Sequence, residues 1–174
     1  MLAPFKVMEN HDEIDAAHIK GGGGAIINPS SMMRKKSMLK VDGYHDQSNF
    51  AEDFDIFLRL AEVGYLANLP DALIYYRQHL DSVGYAQRKQ QLESTITAVN
   101  DACNRRKIAV PKEISSLKHN ITPPTKSEIY VKWGWWAFSA NNNKTVRKYA
   151  FKAIMIAPFN IEAWKLLACL IRGK

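Results

Sequence analysis

The sequence predicts a mixed α/β chain, an α+β fragment that ends in an all-α helical hairpin appendage. Three observations carry that expectation. Residues 51–64 read as an amphipathic helix that passes into a hairpin and on to His79; residues 87–106 read as a longer, polar helix; and beyond a proline-broken stretch the chain turns helical and aromatic-rich.

Taken in order, residues 11–18 (HDEIDAAH) read as a short polar helix. His11 and His18 share a face at i and i+7, which a solvated helix end explains more simply than a metal site. Gly21 to Gly24 follow, and consecutive glycines let backbone N–H groups approach an anion closely, so Gly23 and Gly24 are candidate phosphate contacts. No Gly-Lys-Ser/Thr comes after them and the G-x-G-x-x-G setting is missing; a flexible turn into Ala25-Ile26-Ile27 is the plainer reading. Phe54, Phe57, Leu58 and Ala61 then fall at i, i+3, i+4 and i+7, one apolar stripe, with Gly64 where a C-terminal cap belongs. Glu52 and Asp53 occupy the first turn, where the helix dipole keeps a carboxylate ionised unless burial opposes it. Asp55 and Arg59 are one turn apart and can pair, as can Arg59 and Glu62. Acids that open a helix commonly do no more than satisfy its end, so position alone does not make Asp53 a catalytic group.

The succession of motifs carries more. Ser30-Ser31-Met32-Met33-Arg34, Asp42-Gly43-Tyr44, a Glu52-Asp53-x-Asp55-x-x-x-Arg59 helix, a Leu69-Pro70 hairpin and Tyr75-Tyr76-Arg77-x-His79 follow one another between Asn28 and Gly84. This run, about a third of the chain, resembles the C-terminal, acceptor-side half of a family 2 glycosyltransferase of the GT-A fold. The resemblance implies an inverting transfer of sugar from a nucleotide-sugar donor to a hydroxyl acceptor, either lipid-linked or a polysaccharide. Asp53 would be the base that takes the acceptor proton, and Glu52 would orient the site or touch the acceptor. His79 would complete the shell of a divalent metal, with imidazole suiting Mn²⁺ better than Mg²⁺, and Arg77 would hold phosphate through charge-assisted bonds. A hydrogen-bonded structural role is the alternative for His79. Gly23 and Gly24 would lie near the donor sugar.

A complete enzyme of that family also carries a nucleotide-gripping βαβ unit and an Asp-x-Asp metal motif, about a hundred further residues. Only about twenty residues precede the glycine run here, and Asp12, Glu13 and Asp15 sit in the polar helix. The chain therefore reads as an acceptor half without its donor half. On that reading a second, donor-half chain is the implied partner, the metal belongs to the complete enzyme and this chain could bind none, and transfer by the chain alone is expected to be poor or absent. The rival reading is a noncatalytic protein-interaction module built on a degenerate glycosyltransferase fragment.

Composition narrows the classes. Cys103 and Cys169 are far apart and lack C-x-x-C spacing, which argues against a disulfide framework or zinc site and fits a reducing, cytoplasmic setting. Met1 opens no signal peptide, and no apolar run approaches eighteen residues. The net charge is +7, and the basic residues are dispersed in short groups such as Arg34-Lys35-Lys36 and Arg105-Arg106-Lys107. That pattern excludes a nucleic-acid motif of the aromatic-basic type, whereas peripheral contact with anionic lipid at the inner face of a membrane would use the same charge.

The expected organisation is residues 1–107 as the acceptor-side part, 108–125 as a linker with Pro111, Pro123 and Pro124, and 126–174 as a helical tail. The polar helix at 87–106 would bury Leu92, Ile96 and Val99. Placing Pro158 at the late proline of the 34-residue tetratricopeptide pattern sets Tyr130, Gly134 and Ala153 on its key positions and starts another repeat at Trp164, Leu167 and Ala168. The tail thus resembles one helix pair and the first helix of another, with Val146 and Ala150 in place of the usual residues. Its four tryptophans, Trp133, Trp135, Trp136 and Trp164, are expected in the core. The last helix carries Ile161, Trp164, Leu167, Ala168 and Ile171 along one side, expected to pack in the hairpin or to lie in a membrane interface.

Overall fold

The computed structural model describes residues 7–45, 50–71, 73–75, 77–117 and 122–173. Among these it contains nine α-helices, a single 3-10 turn at Asn28–Ser30, and no strand. The expected α/β class is therefore corrected to all-α. The hairpin after Gly64 is the element that fails: residues 65–71, 73–75 and 77–79 run as irregular chain, and Tyr76 lies outside the described residues. The physical reason is the missing ladder, since a strand needs a partner for its N–H and C=O groups and no strand occurs among the described residues. Tyr65, Leu69, Leu73, Ile74 and Tyr75 consequently stand exposed.

The chain divides into two compact units, Val7–Pro123 and Pro124–Lys174. In the first, α1 (His11–Ile19) is capped by Asn10, whose side chain accepts from the Glu13 N–H at 3.0 Å. A short α2 (Lys35–Lys40) precedes α3 (Glu52–Ala61), in which every residue from Phe54 to Leu60 is buried. A helix apolar on one face only could not do this. Here Phe54 and Leu58 pack with Ile96, Val99, Ala102 and Cys103, while Ile56, Phe57 and Leu60 meet Ile26, Met33, Met38, Val41 and Leu66. Each such side chain contributes about 1.5–3 kcal/mol by leaving water. The remaining elements are α4 (Val83–Ala86), α5 (Arg88–Arg106) and α6 (Lys112–Leu117).

The boundaries of α5 follow the sequence closely, and it buries Ile96 and Val99, with Leu92 only partly covered. The stretch read as a linker carries α6, whose Ile114 is 2% exposed in the core of the first unit; residues 118–121 lie outside the described residues. Ion pairs fasten the helix ends. Arg106 donates to Asp15 of α1 at 2.7 Å and to the Leu58 carbonyl of α3 at 2.7 Å, and Arg105 pairs with Glu62 at 2.8 Å. The polar helix of residues 11–18 is thus not a solvated end, because Ile14 and His18 are buried and Asp15 is tied to α5.

The second unit is three helices, α7 (Lys126–Ser139), α8 (Asn143–Ile156) and α9 (Ile161–Arg172). Thr125 and Glu128 form a reciprocal capping box, and Asn142 and Asn160 cap the next two helices through their side chains. Small residues bring the axes together: Ala137, Val146, Ala150 and Leu166 form one core cluster, and a Cβ at Gly134 would lie 2.2 Å from Leu166 Cδ2. Trp133 is buried, Trp135 and Trp136 are half-buried, and Trp164 is 50% exposed. The side of α9 expected to pack is thereby corrected. Ala163 and Leu166 face inward with Leu167 and Leu170 beside them, while Ile161, Trp164, Ala168 and Ile171 face solvent.

Candidate functional site

Helix α3 delivers two carboxylates of opposite character. Asp55 is 5% exposed and pairs with Arg59, one turn on, through two bonds of 3.0 and 2.7 Å; Arg59 also donates to the Val41 carbonyl. His45 Nδ1 lies 3.6 Å from the same Asp55 oxygen. Arg59 is thus committed to Asp55, while Glu62 pairs with Arg105 and Arg106. This is a buried, satisfied pair whose role is to hold α3 against the chain at Val41. Breaking one partner would leave the other charge uncompensated, at a cost of about 3–5 kcal/mol.

Asp53 differs. It stands in the first turn behind Ala51, which supplies no side-chain cap, and its Oδ1 accepts from the Phe54 N–H at 2.7 Å. No cation pairs with it among the described residues. Burial pushes its pKa above the usual carboxylate range and adjacent Glu52 adds to the rise, against the hydrogen bond from Phe54. The dipole argument made from sequence is therefore outweighed by desolvation. A carboxylate held above its ordinary pKa has more proton affinity, which is the property a general base needs. Glu52 is exposed.

The other candidates stand in irregular chain. Arg77 and His79 are exposed, and the His79 carbonyl accepts from the Ser82 N–H at 3.3 Å. Gly23 and Gly24 form an exposed turn with open space where a Cβ would be; Gly24 uses its freedom at φ +92° to make the turn. No hydrogen bond or ion pair among the described residues joins Arg77, His79, Gly23 or Gly24 to Asp53. Nor does any group of three or more His, Cys, Asp or Glu side chains among the described residues form a metal cage. His79 by itself does not fit a Mn²⁺ or Mg²⁺ site, which needs several further donors.

A groove of about 480 Å³ opens on the same unit, with Glu93, Thr97, Asp101 and Arg105 along one side of α5 and Asp55 and His45 opposite. Asp53 and Glu52 are not on its wall. The i, i+4 succession from Glu93 to Arg105 was readable as a polar stripe on α5, but the facing Asp55 was not, because only folding brings α3 beside it. No protein-family model, curated protein or solved structure matches the chain. No helix among the described residues is long and apolar enough to cross a membrane.

Proposed function

We propose that this chain supplies the acceptor-side base of an inverting sugar-transfer enzyme of the family 2 glycosyltransferase type, and that it works only with a donor-binding half. The observation that carries the proposal is Asp53: a carboxylate at a helix entrance, without a cation partner among the described residues, and with its proton affinity raised by burial. In the reaction the Asp53 carboxylate takes the proton of the acceptor hydroxyl as the hydroxyl oxygen attacks the anomeric carbon of the sugar, and the nucleotide diphosphate leaves with the bonding electrons. The configuration at that carbon inverts. Glu52, exposed and adjacent in sequence, would hold the acceptor through a second hydroxyl on this reading. Exposed Tyr65, Leu69, Leu73, Ile74 and Tyr75 support the need for a further chain, since a donor half could cover these apolar side chains.

Sugar transfer is measured with the chain alone and with a nucleotide-binding half of the same family supplied in trans. Turnover is expected only in the complemented sample, and Asp53→Asn is expected to lower it by about 10²–10⁴-fold, the range of general-base catalysis. Complemented turnover that survives Asp53→Asn removes the base assignment. Failure of any donor half to produce turnover favours the second reading, a noncatalytic interaction module, which the same exposed apolar side chains also support.

A further inference from the structure

The charge of this molecule is not spread along it. Residues 124–174 hold nine Lys and Arg against two Glu, whereas residues 1–123 hold fifteen basic and fifteen acidic side chains, so the whole formal charge of +7 resides in the three-helix unit. Both glutamates there are occupied, Glu128 in the capping box and Glu162 with Lys165 at 2.7 Å. Among the described residues, Lys144, Arg147, Lys148, Lys152 and Arg172 have no carboxylate partner.

These bases are interleaved with exposed apolar groups in a regular way. On the outer side of α8, Lys144, Lys148 and Lys152 form one i, i+4 row, and Arg147, Phe151 and Met155 form the row beside it. The turn into α9 presents Phe159, 96% exposed, and the outer side of α9 continues with Ile161, Trp164 and Ile171. The Trp164 indole N–H already donates to the Pro158 carbonyl at 2.7 Å, so the ring can enter an apolar medium without leaving a donor unpaired.

We propose that the outer surface of α8 and α9 docks on an anionic lipid bilayer, with Phe151, Met155, Phe159, Trp164 and Ile171 dipping between head groups and the Lys and Arg that lack a carboxylate partner meeting lipid phosphates. Charge complementarity selects an anionic partner, and the apolar side chains select lipid over nucleic acid. Methionine and isoleucine give bases nothing to stack on but gain from an acyl boundary. The mode is lying on the surface, since no described helix can span a membrane. This inference stands apart from sugar transfer, and its test contains no sugar.

The 174-residue chain is floated with vesicles of phosphatidylcholine alone and of phosphatidylcholine containing about a third phosphatidylserine. Binding to the anionic vesicles, a blue shift of tryptophan emission, and release by salt are expected, with little binding to the neutral ones. Met155→Ser with Phe159→Ser is expected to weaken partitioning about tenfold or more, and Lys144→Glu with Arg147→Glu to remove the anionic preference. All four positions are exposed, and circular dichroism verifies that each variant is folded. The proposal is overturned by equal binding to both vesicle types, by no binding to anionic vesicles, by serine variants that bind like the parent, or by an oligonucleotide that displaces vesicles and binds the serine variants undiminished.

Discussion

His18 sits edge-on to Phe54, with ring centroids 5.3 Å apart, and stacks on Phe57 at 5.9 Å. It is 1% exposed, and its Nδ1 finds no hydrogen-bond partner among the described residues. Burial lowers its pKa to about 4, with Asp15 pulling upward and Arg106 adding to the fall. The imidazole is therefore neutral when folded, whereas in the unfolded chain it protonates near pH 6.5. Between those values the unfolded state binds more protons, so stability is complete above pH 6.5 and falls toward pH 4, by about 3 kcal/mol over the full window. Urea unfolding at pH 7 and pH 4.5 is expected to show this loss in the parent and a much smaller one in His18→Leu. Equal losses in both would mean that the ring is not held neutral. Nothing in residues 11–18 foretold this, because a histidine on a polar segment acquires its surroundings only when α3 packs over it.

At the scale of elements, sequence and structure agree where one period settles the matter and part where two answers share it. Helix α3 was readable from Phe54, Phe57, Leu58 and Ala61; that single stripe did not foretell the burial of Ile56 and Leu60 on its other sides. The resemblance that located Asp53 also implied a hairpin at Leu69-Pro70, but the described residues there run as irregular chain with no strand to pair with. In α9 both Ile161-Trp164-Ala168-Ile171 and Ala163-Leu166-Leu170 are apolar rows, so periodicity could not choose the buried one. Gly134 decides it. The bare backbone of α7 admits Leu166 at a distance no side chain would allow, and α9 turns to insert it. Gly134→Ala is expected to destabilise the three-helix unit by about 1–3 kcal/mol through overpacking, measured by thermal unfolding, and the added substitution Leu166→Ala should not make the Gly134→Ala loss additive. Additive losses would show that the two positions do not meet. The candidate site was only half readable for the same reason. Asp53 and Glu52 are neighbours in sequence, but whether a carboxylate lacks a cation or rises in pKa is a property of packing.

For the molecule as a whole, the neutral balance of residues 1–123 has a consequence for handling. A chain ended at residue 123 is expected to lose solubility near neutral pH, where its net charge approaches zero and repulsion between copies vanishes. Light scattering of the full and shortened chains across pH 5–9 measures this; equal scattering near pH 7 would show that the basic unit does not keep the protein dispersed. Arg106 sets a further constraint, on the order in which the first unit is completed. Its guanidinium joins Asp15 to Leu58, partners 91 and 48 positions earlier in the chain. During synthesis, α1 stays unlatched until Arg106, 91 positions later, has left the ribosome, so this unit closes late.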